Sequence, residues 1–416
     1  VPSAPASFYG LRVTVETLAR TRAGSVTQLV CHPRLPLVAG LDAERPAVHI
    51  WDCGELRELG TVGADSTVYT DEEEDYGRDR VLRSPAVAWH PEDAQLVVTG
   101  EHDVVQWTPA GLTELDEVPP IAAYRYRCLA FSPDGQRLWA YPSSSGDEYS
   151  AWEGSDVLDL ASGSVGAGPR WDTGVAVHPA GGLYATLCSD QGATLCVFAR
   201  PDQTRLRRAL ILDADGYGPP MFSADGRYLA IRGNAYENSL EVFEFPSLHR
   251  VLATVLGEPN PGYPYPDEWL DQKNAWSRHN IAFGATLWLG TPNGTLIEVD
   301  IDNQQAVEHD ILAGSPVKAL CATPTGELVV ATGAGELVLL ATGSAPTQTA
   351  DAELVRAFLD STSDVPDDGD LEDNLDVTDG TRSWTPDDRA AVTTATDTDP
   401  PWLQLTAAIN NARRQA

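Results

Sequence analysis

The sequence predicts an all-β fold: a seven-bladed β-propeller closed by an N-terminal strand and followed by an acidic, partly disordered C-terminal arm. Three observations lead there. A short apolar strand ending in a Pro- or Gly-bearing turn recurs seven times along the chain. The copies repeat with an underlying period of about 42 residues, the length of a four-stranded propeller blade. At Gly343 the composition changes abruptly to acidic and Thr-rich.

The recurring strand ends read Leu29-Val-Cys-His-Pro33, Val87-Ala-Trp-His-Pro91, Leu129-Ala-Phe-Ser-Pro-Asp-Gly135 and Val175-Ala-Val-His-Pro179. Three more follow: Pro220-Met-Phe-Ser-Ala-Asp-Gly226, Ile281-Ala-Phe-Gly284 and Leu320-Cys-Ala-Thr-Pro324. Second and third strands are readable in several units, as in Leu37–Gly40 with Ala47–Asp52, and Leu183–Cys188 with Ala193–Phe198. Short strands with turn signals every 8 to 12 residues indicate all-β structure. Leu328-Val-Val-Ala and Leu337-Val-Leu-Leu are continuously apolar, as strands packed on both faces are. The last unit stops after its third strand, near Thr342. The segment Leu11–Leu18 is expected to supply the missing outer strand and so remove an open sheet edge.

The Phe-Ser-Pro-Asp-Gly turn at 131–135, its variant at 222–226 and the pair Trp51-Asp52 resemble degenerate WD-repeat propeller units. The resemblance covers residues 8–344. Most blades lack the terminal Trp-Asp and none has the Gly-His dipeptide. It implies a platform that binds proteins or peptides, usually without catalysis.

Composition narrows the function classes. With 28 Lys plus Arg against 61 Asp plus Glu, the net charge is −33, which repels nucleic-acid phosphate at long range. No stretch reaches the roughly 20 apolar residues that a membrane helix needs. Val1-Pro-Ser-Ala-Pro lacks the basic start of a secretion signal, so the expected location is the cytoplasm. Six cysteines are too few for a disulfide framework, and buried reduced thiols are expected. Cys188 and Cys196 are the pair that a hairpin at 190–192 would bring closest. Only Lys273 and Lys318 are lysines.

No phosphate loop, zinc-protease motif or nucleophile elbow is present, so no catalytic residue, cofactor or metal is assigned. His32, His90 and His178 share one repeat position, in the turn after an inner strand, and are expected to serve turns and packing. Two long insertions, 61–82 and 257–277, connect one blade to the next on the face conventionally called the top. Elaborated loops on a rigid frame are where binding concentrates. Tyr263, Tyr265 and Trp269 in the second insertion are therefore candidate partner-binding residues, against the alternative that the insertion folds over its own surface.

Scarce positive charge gathers before the inner strands, at Arg78, Arg80, Arg83, Arg125, Arg127, Arg170, Arg278 and Lys318, with Trp171, Tyr217 and His279 at comparable positions. If these converge on the mouth of the central channel, the alternative function is a small anionic ligand site or an enzymatic propeller using Arg83, Arg127, Trp171, Tyr217, Arg278, His279 and Lys318. Pairing of each arginine with a neighbouring acid is the competing reading.

Residues 1–344 form the expected propeller domain and 345–416 the arm. Residues 351–399 hold 15 acids and three arginines, a composition that does not order itself unaided. Two helical patterns flank it, Ala350–Leu359 and Trp402–Arg414; the second places Trp402, Leu405 and Ile409 as further partner-binding candidates. Docking of the arm on its own propeller and capture by a partner both remain open. The expected function is a non-catalytic protein-interaction subunit acting through the top face and the arm, with a protein partner and neither nucleic acid nor membrane.

Overall fold

The structure, a computed structural model, describes residues 15–69, 84–100, 103–115, 126–145, 150–190, 193–213, 216–343, 350–366 and 374–415. Seven sheets, six antiparallel ones of four strands and a mixed one of six, stand around a central channel. The inner strands are Val26–Cys31, Val87–Trp89, Cys128–Phe131, Val175–Val177, Met221–Phe222, Ile281–Phe283 and Val317–Ala322, one for each blade in chain order. Second and third strands are buried nearly throughout, as in Leu328–Thr332 of blade 7. Most outer strands face water, as in Gly111–Glu114 of blade 2.

Closure follows the expected route, displaced along the chain. The outer strand of blade 7 is Glu16–Arg22, paired antiparallel with Glu336–Ala341, and the first half of the expected span Leu11–Leu18 lies outside the described residues. Arg20 reinforces the seam through Glu336 at 2.7 Å. One expectation fails at this seam. Cys31 and Cys321 are joined as a disulfide between the inner strands of blades 1 and 7, with Cα atoms 6.2 Å apart and 290 residues of chain between them. Neighbouring blades face each other here because the ring closes, a contact that local spacing cannot reveal. Cys53, Cys128, Cys188 and Cys196 lie outside this disulfide; Cys188 sits opposite Leu195, not Cys196.

The repeated histidines clamp blade to blade. Nδ1 of His32 accepts the backbone N–H groups of Arg34 and Leu35, both at 3.0 Å. That fixes the proton on Nε2, which donates to the Asp93 carbonyl of blade 2 at 2.8 Å. His178 repeats the arrangement, accepting from Ala180 N–H and donating to the Gly226 carbonyl of blade 5 at 3.1 Å. Gly226 has φ +77°, and any Cβ there would strike the His178 ring, so the position requires glycine twice over. His90 accepts from Glu92 and Asp93 N–H and abuts Gly135 of blade 3.

The arm is folded against the propeller wherever it is described. Asp376–Thr378 pairs in parallel with Arg205–Leu212, the outer strand of blade 4, and Ser383–Trp384 adds a sixth strand. Before this pair comes a helix, Ala352–Asp360, whose N-cap Asp351 accepts the Glu353 N–H. Its Phe358 is fully buried, 4.8 Å from Phe198 and 5.1 Å from Phe245 between centroids. After the strands, Pro386–Ala391 starts with a Thr385–Asp388 capping box, and the helix Pro401–Gln415 closes the chain. Asn410, buried, donates to the Arg389 and Val392 carbonyls at 2.8 Å each and holds these last two helices together. Helices stand where the patterns 350–359 and 402–414 place them, and the expectation that the arm's acidic run stays unordered is corrected for 361–366 and 374–399. Its acids stay at the surface while a few apolar residues, Val365, Leu375, Val377, Trp402 and Leu403, cover Ile211 and Leu195 of blade 4.

Among the described residues no helix is long and apolar enough to cross a membrane, and no group of three metal-ligating side chains converges.

Candidate functional site

The two ends of the channel differ in chemistry. At the bottom, where the inner strands end, lies a cavity of about 600 Å3 lined by apolar side chains such as Leu29, Met221, Phe222, Phe283 and Leu320, with Ala350 of the arm beside them. Among the described residues no Asp, Glu, Lys or Arg lines it.

On the top, the long insertion between blades 5 and 6 builds a small platform. Its helix α1, Asp267–Ala275, starts after Pro266 with Asp267 and Glu268 in the first turn, where the helix dipole favours acids. Trp269 is buried, donates Nε1–H to the Glu258 carbonyl at 3.2 Å and stacks on Tyr265 at 5.3 Å. It therefore folds the insertion upon itself and is no free anchor. Tyr265 packs edge-on to Tyr263, and Tyr263 is 89% exposed. Of the three aromatics, Tyr263 is the one offered to solvent.

Where α1 ends, four cations meet. Asn238 in the top turn of blade 5 donates to the Lys273 carbonyl at 3.0 Å, tying α1 to the blade. The same Asn238 accepts from the Arg232 guanidinium at 2.8 Å, and Asn280 accepts from Arg232 Nε at 3.2 Å. Arg232 also reaches the Gly233 and Ser239 carbonyls. It is 3% exposed, and its acceptors are all neutral. Arg278 Nε donates to the Asn234 amide oxygen at 2.6 Å, while the Asn234 NH2 donates to the Gly216 carbonyl. Lys318, exposed on blade 7, has its carbonyl bonded by the Ser277 hydroxyl, and His279 bridges to Ala319 beside it.

The electrostatics show mutual repulsion. Burial first, then Arg278, pushes the Arg232 guanidinium down to about 10. Burial and the Arg278 charge lower His279 to about 4, so its ring is neutral at pH 7. Lys273 is lowered by burial, then by Arg278 and Arg232. Among the described residues no carboxylate forms an ion pair with Arg232, Lys273, Arg278 or Lys318.

The other candidates separate from this cluster. Trp171 is buried with Tyr141 at 5.9 Å in the core between blades 3 and 4 and cannot line a mouth. Tyr217 is buried against Gly233, where it fills the gap between blades 4 and 5. Large aromatics entering inner strands serve blade packing here. Arg127 places its guanidinium over the Trp152 ring, 5.7 Å from the centroid. Arg170 pairs with Asp172 at 3.0 Å, as the competing reading held. Arg78, Arg80, Arg83 and Arg125, and most of the 61–82 insertion, lie outside the described residues. On the terminal helix, Trp402 faces blade 4 with Leu403 and Ala407, while Leu405 and Ile409 point outward, 48% and 43% exposed. The three share a stripe of the helix, but only Leu405 and Ile409 are open to solvent.

Arg232 and Lys273 were not singled out from the sequence. A signal existed for each: Arg232 is a lone charge ending the apolar run Tyr228–Ile231, and Lys273 is one of two lysines in the chain.

No protein-family model and no curated protein sequence matches the chain. Among solved structures it is similar to the β-propeller domain of Cps50 (Swd1) from Myceliophteria thermophila, with 11% identity and a TM-score of 0.50, covering 79% of this chain and 99% of that one. At that identity the likeness shows the fold alone. The WD-repeat resemblance read from the turns holds as a likeness of fold: the molecule is a seven-bladed β-propeller.

Proposed function

We propose that this protein is a non-catalytic interaction subunit that grips a protein partner on the top face of a rigid propeller. WD40-type propellers generally mediate protein interactions, and the class supports the reading at that coarse level. The observation that carries it further is the ordered insertion between blades 5 and 6, which holds Tyr263 out to solvent beside a cationic edge. Exposed tyrosines next to charge are typical interface anchors, because they add apolar area at low entropic cost. The arm takes a narrower role than a free tail would. Its inner face completes blade 4, and Leu405 with Ile409 forms a second, outward apolar contact.

The test is affinity capture with lysine and carboxyl cross-linking of the full chain. Tyr263→Asp is expected to reduce recovery of a stoichiometric partner at least ~10-fold without lowering thermal stability. Leu405→Asp with Ile409→Asp is expected to cost less. Equal recovery with Tyr263→Asp, with cross-links confined to other faces, would remove the top-face platform from the account.

The second reading, a small anionic ligand or substrate in the channel mouth, draws on Arg278, His279 and Lys318. Among the described residues these adjoin further cations and amides, and the Ser277 hydroxyl beside them is spent on the Lys318 carbonyl, which favours binding over turnover.

A further inference from the structure

We propose that the cluster of Arg232, Lys273, Arg278 and Lys318 is the seat of a carboxylate-rich segment of the protein partner. The inference rests on the interaction reading above and names the chemistry of its partner.

The starting point is a departure from what composition dictates. Acids outnumber bases 61 to 28, so a cation on this surface should find a carboxylate. Many do: Arg20, Arg34, Arg57, Arg227 and Arg382 each meet one, while others, such as Arg45 and Arg208, stand singly and are bonded by carbonyls and a hydroxyl. In the cluster Arg232, Lys273 and Arg278 meet one another instead, and the backbone register of His279 with Ala319 sets Lys318 beside Arg278, so both lysines of the chain are among them. Arg232 is buried and held by four neutral acceptors from three segments, so the fold maintains this repulsion through specific contacts. Like charges gathered at a cost to the free protein are relieved when opposite charge arrives.

The arrangement selects among anions. Lys273 lies on α1, Arg278 leads into blade 6 and Lys318 belongs to blade 7, so the charge runs along an open edge across three elements. A chain bearing successive carboxylates matches a line of charges; a compact phosphate matches a single enclosed point. Tyr263, on the same insertion, supplies apolar contact for the rest of such a segment. The remaining acidic surface does not forbid this. At physiological ionic strength its field is screened beyond about 8 Å, which leaves the contact residues to decide.

The chain's two lysines make the test direct. Reductive methylation with 13C-formaldehyde keeps the charge and labels only Lys273, Lys318 and the N-terminal amine. The labelled full chain is titrated at physiological salt with hexaglutamate, hexaglutamine and inorganic phosphate. Saturable shifts of both lysine signals with hexaglutamate alone are expected, weakened ~10-fold or more in Arg278→Gln. Unlabelled protein in a calorimeter checks that methylation has not created the binding. Absence of shifts with hexaglutamate overturns the proposal, and shifts with phosphate alone replace it by a small-oxyanion site. If hexaglutamate fails while capture still depends on Tyr263, the acidic-segment proposal falls and the interaction reading stands. If hexaglutamate binds and capture ignores Tyr263, the proposed function fails on its own test.

Discussion

The two ends of the channel show opposite ways of using the same repeated unit. At the bottom, the turns after the inner strands are answered within the protein. Histidines bridge adjacent blades, the inner strands end on apolar side chains, and the arm lays Phe358 into the seam of blades 4 and 5. At the top, between blades 5 and 7, four cations crowd together and are answered only by amides and carbonyls. One end is satisfied by folding and the other is left with unused interaction energy. In a repeat protein this difference identifies a working surface better than sequence motifs, because the frame imposes the same backbone on both.

The largest expected effect breaks the satisfied end. Phe358→Ala removes a fully buried ring that touches Phe198 and Phe245, at a cost of about 3–5 kcal/mol. Urea unfolding should register that loss while hexaglutamate binding keeps its affinity. An equal fall in both would mean that the two ends are coupled and the comparison is false.

This arm also marks where the sequence stopped being legible. Blade number, closure by the N-terminal strand and the histidine turns were readable because each repeats, and a repeated signal corroborates itself. The arm's docking was not, since its composition is that of an unordered acidic segment and its buried residues are sparse. The clue lay in blade 4. Its outer strand, Arg205-Leu-Arg-Arg-Ala-Leu-Ile-Leu212, ends in an apolar run, whereas the outer strand of blade 2, Gly111–Glu114, is exposed throughout. An outer strand that apolar needs a cover. The candidate site was half legible: Arg278, His279 and Lys318 were found from their place before inner strands. Arg232 and Lys273 reach the site from a second strand and an insertion helix, which only tertiary structure brings together. Trp171 and Tyr217 misled because residue type and position do not tell an aromatic lining a mouth from one wedged between blades.

A smaller effect comes from acid. His32 and His178 are lowered from their ordinary value by burial, the largest cause, and His279 falls to about 4 through burial and Arg278. The unfolded chain takes up these protons near 6.5 and the folded chain resists them. The stabilisation is therefore present above 6.5 and drains away as pH falls below it, at up to about 1.4 kcal/mol per unit for each histidine. Asp213, pushed up to about 6 by desolvation, offsets part of this slope. At lower pH still, carboxylates with lowered values, such as Asp379 and Asp399, take over. Unfolding free energies at pH 7.5, 6.5 and 5.5 should decline in that order, and His178→Asn should flatten the decline while lowering the starting value. A stability that is level from 7.5 to 5.5 would show that these rings are not held neutral.

The smallest effect has the opposite sign, and it sharpens the comparison most. Arg278 repels Arg232, Lys273 and His279 at once and gains only an amide contact from Asn234. Arg278→Gln keeps a donor for Asn234 and removes the charge, so the free protein should become more stable, by roughly 0.5–1 kcal/mol, as charge relief at functional surfaces commonly gives. The same substitution removes a central charge from the proposed seat and should weaken acidic-peptide binding. Gain in one measurement with loss in the other is the signature of a surface whose cations await a ligand. Thermal scans of the two proteins, with and without hexaglutamate, carry both readings. Hexaglutamate should raise the melting temperature of the native chain and leave that of Arg278→Gln nearly unchanged. If the variant is less stable than the native protein, the cations support the fold after all, and the top of the propeller is as fully satisfied as the bottom.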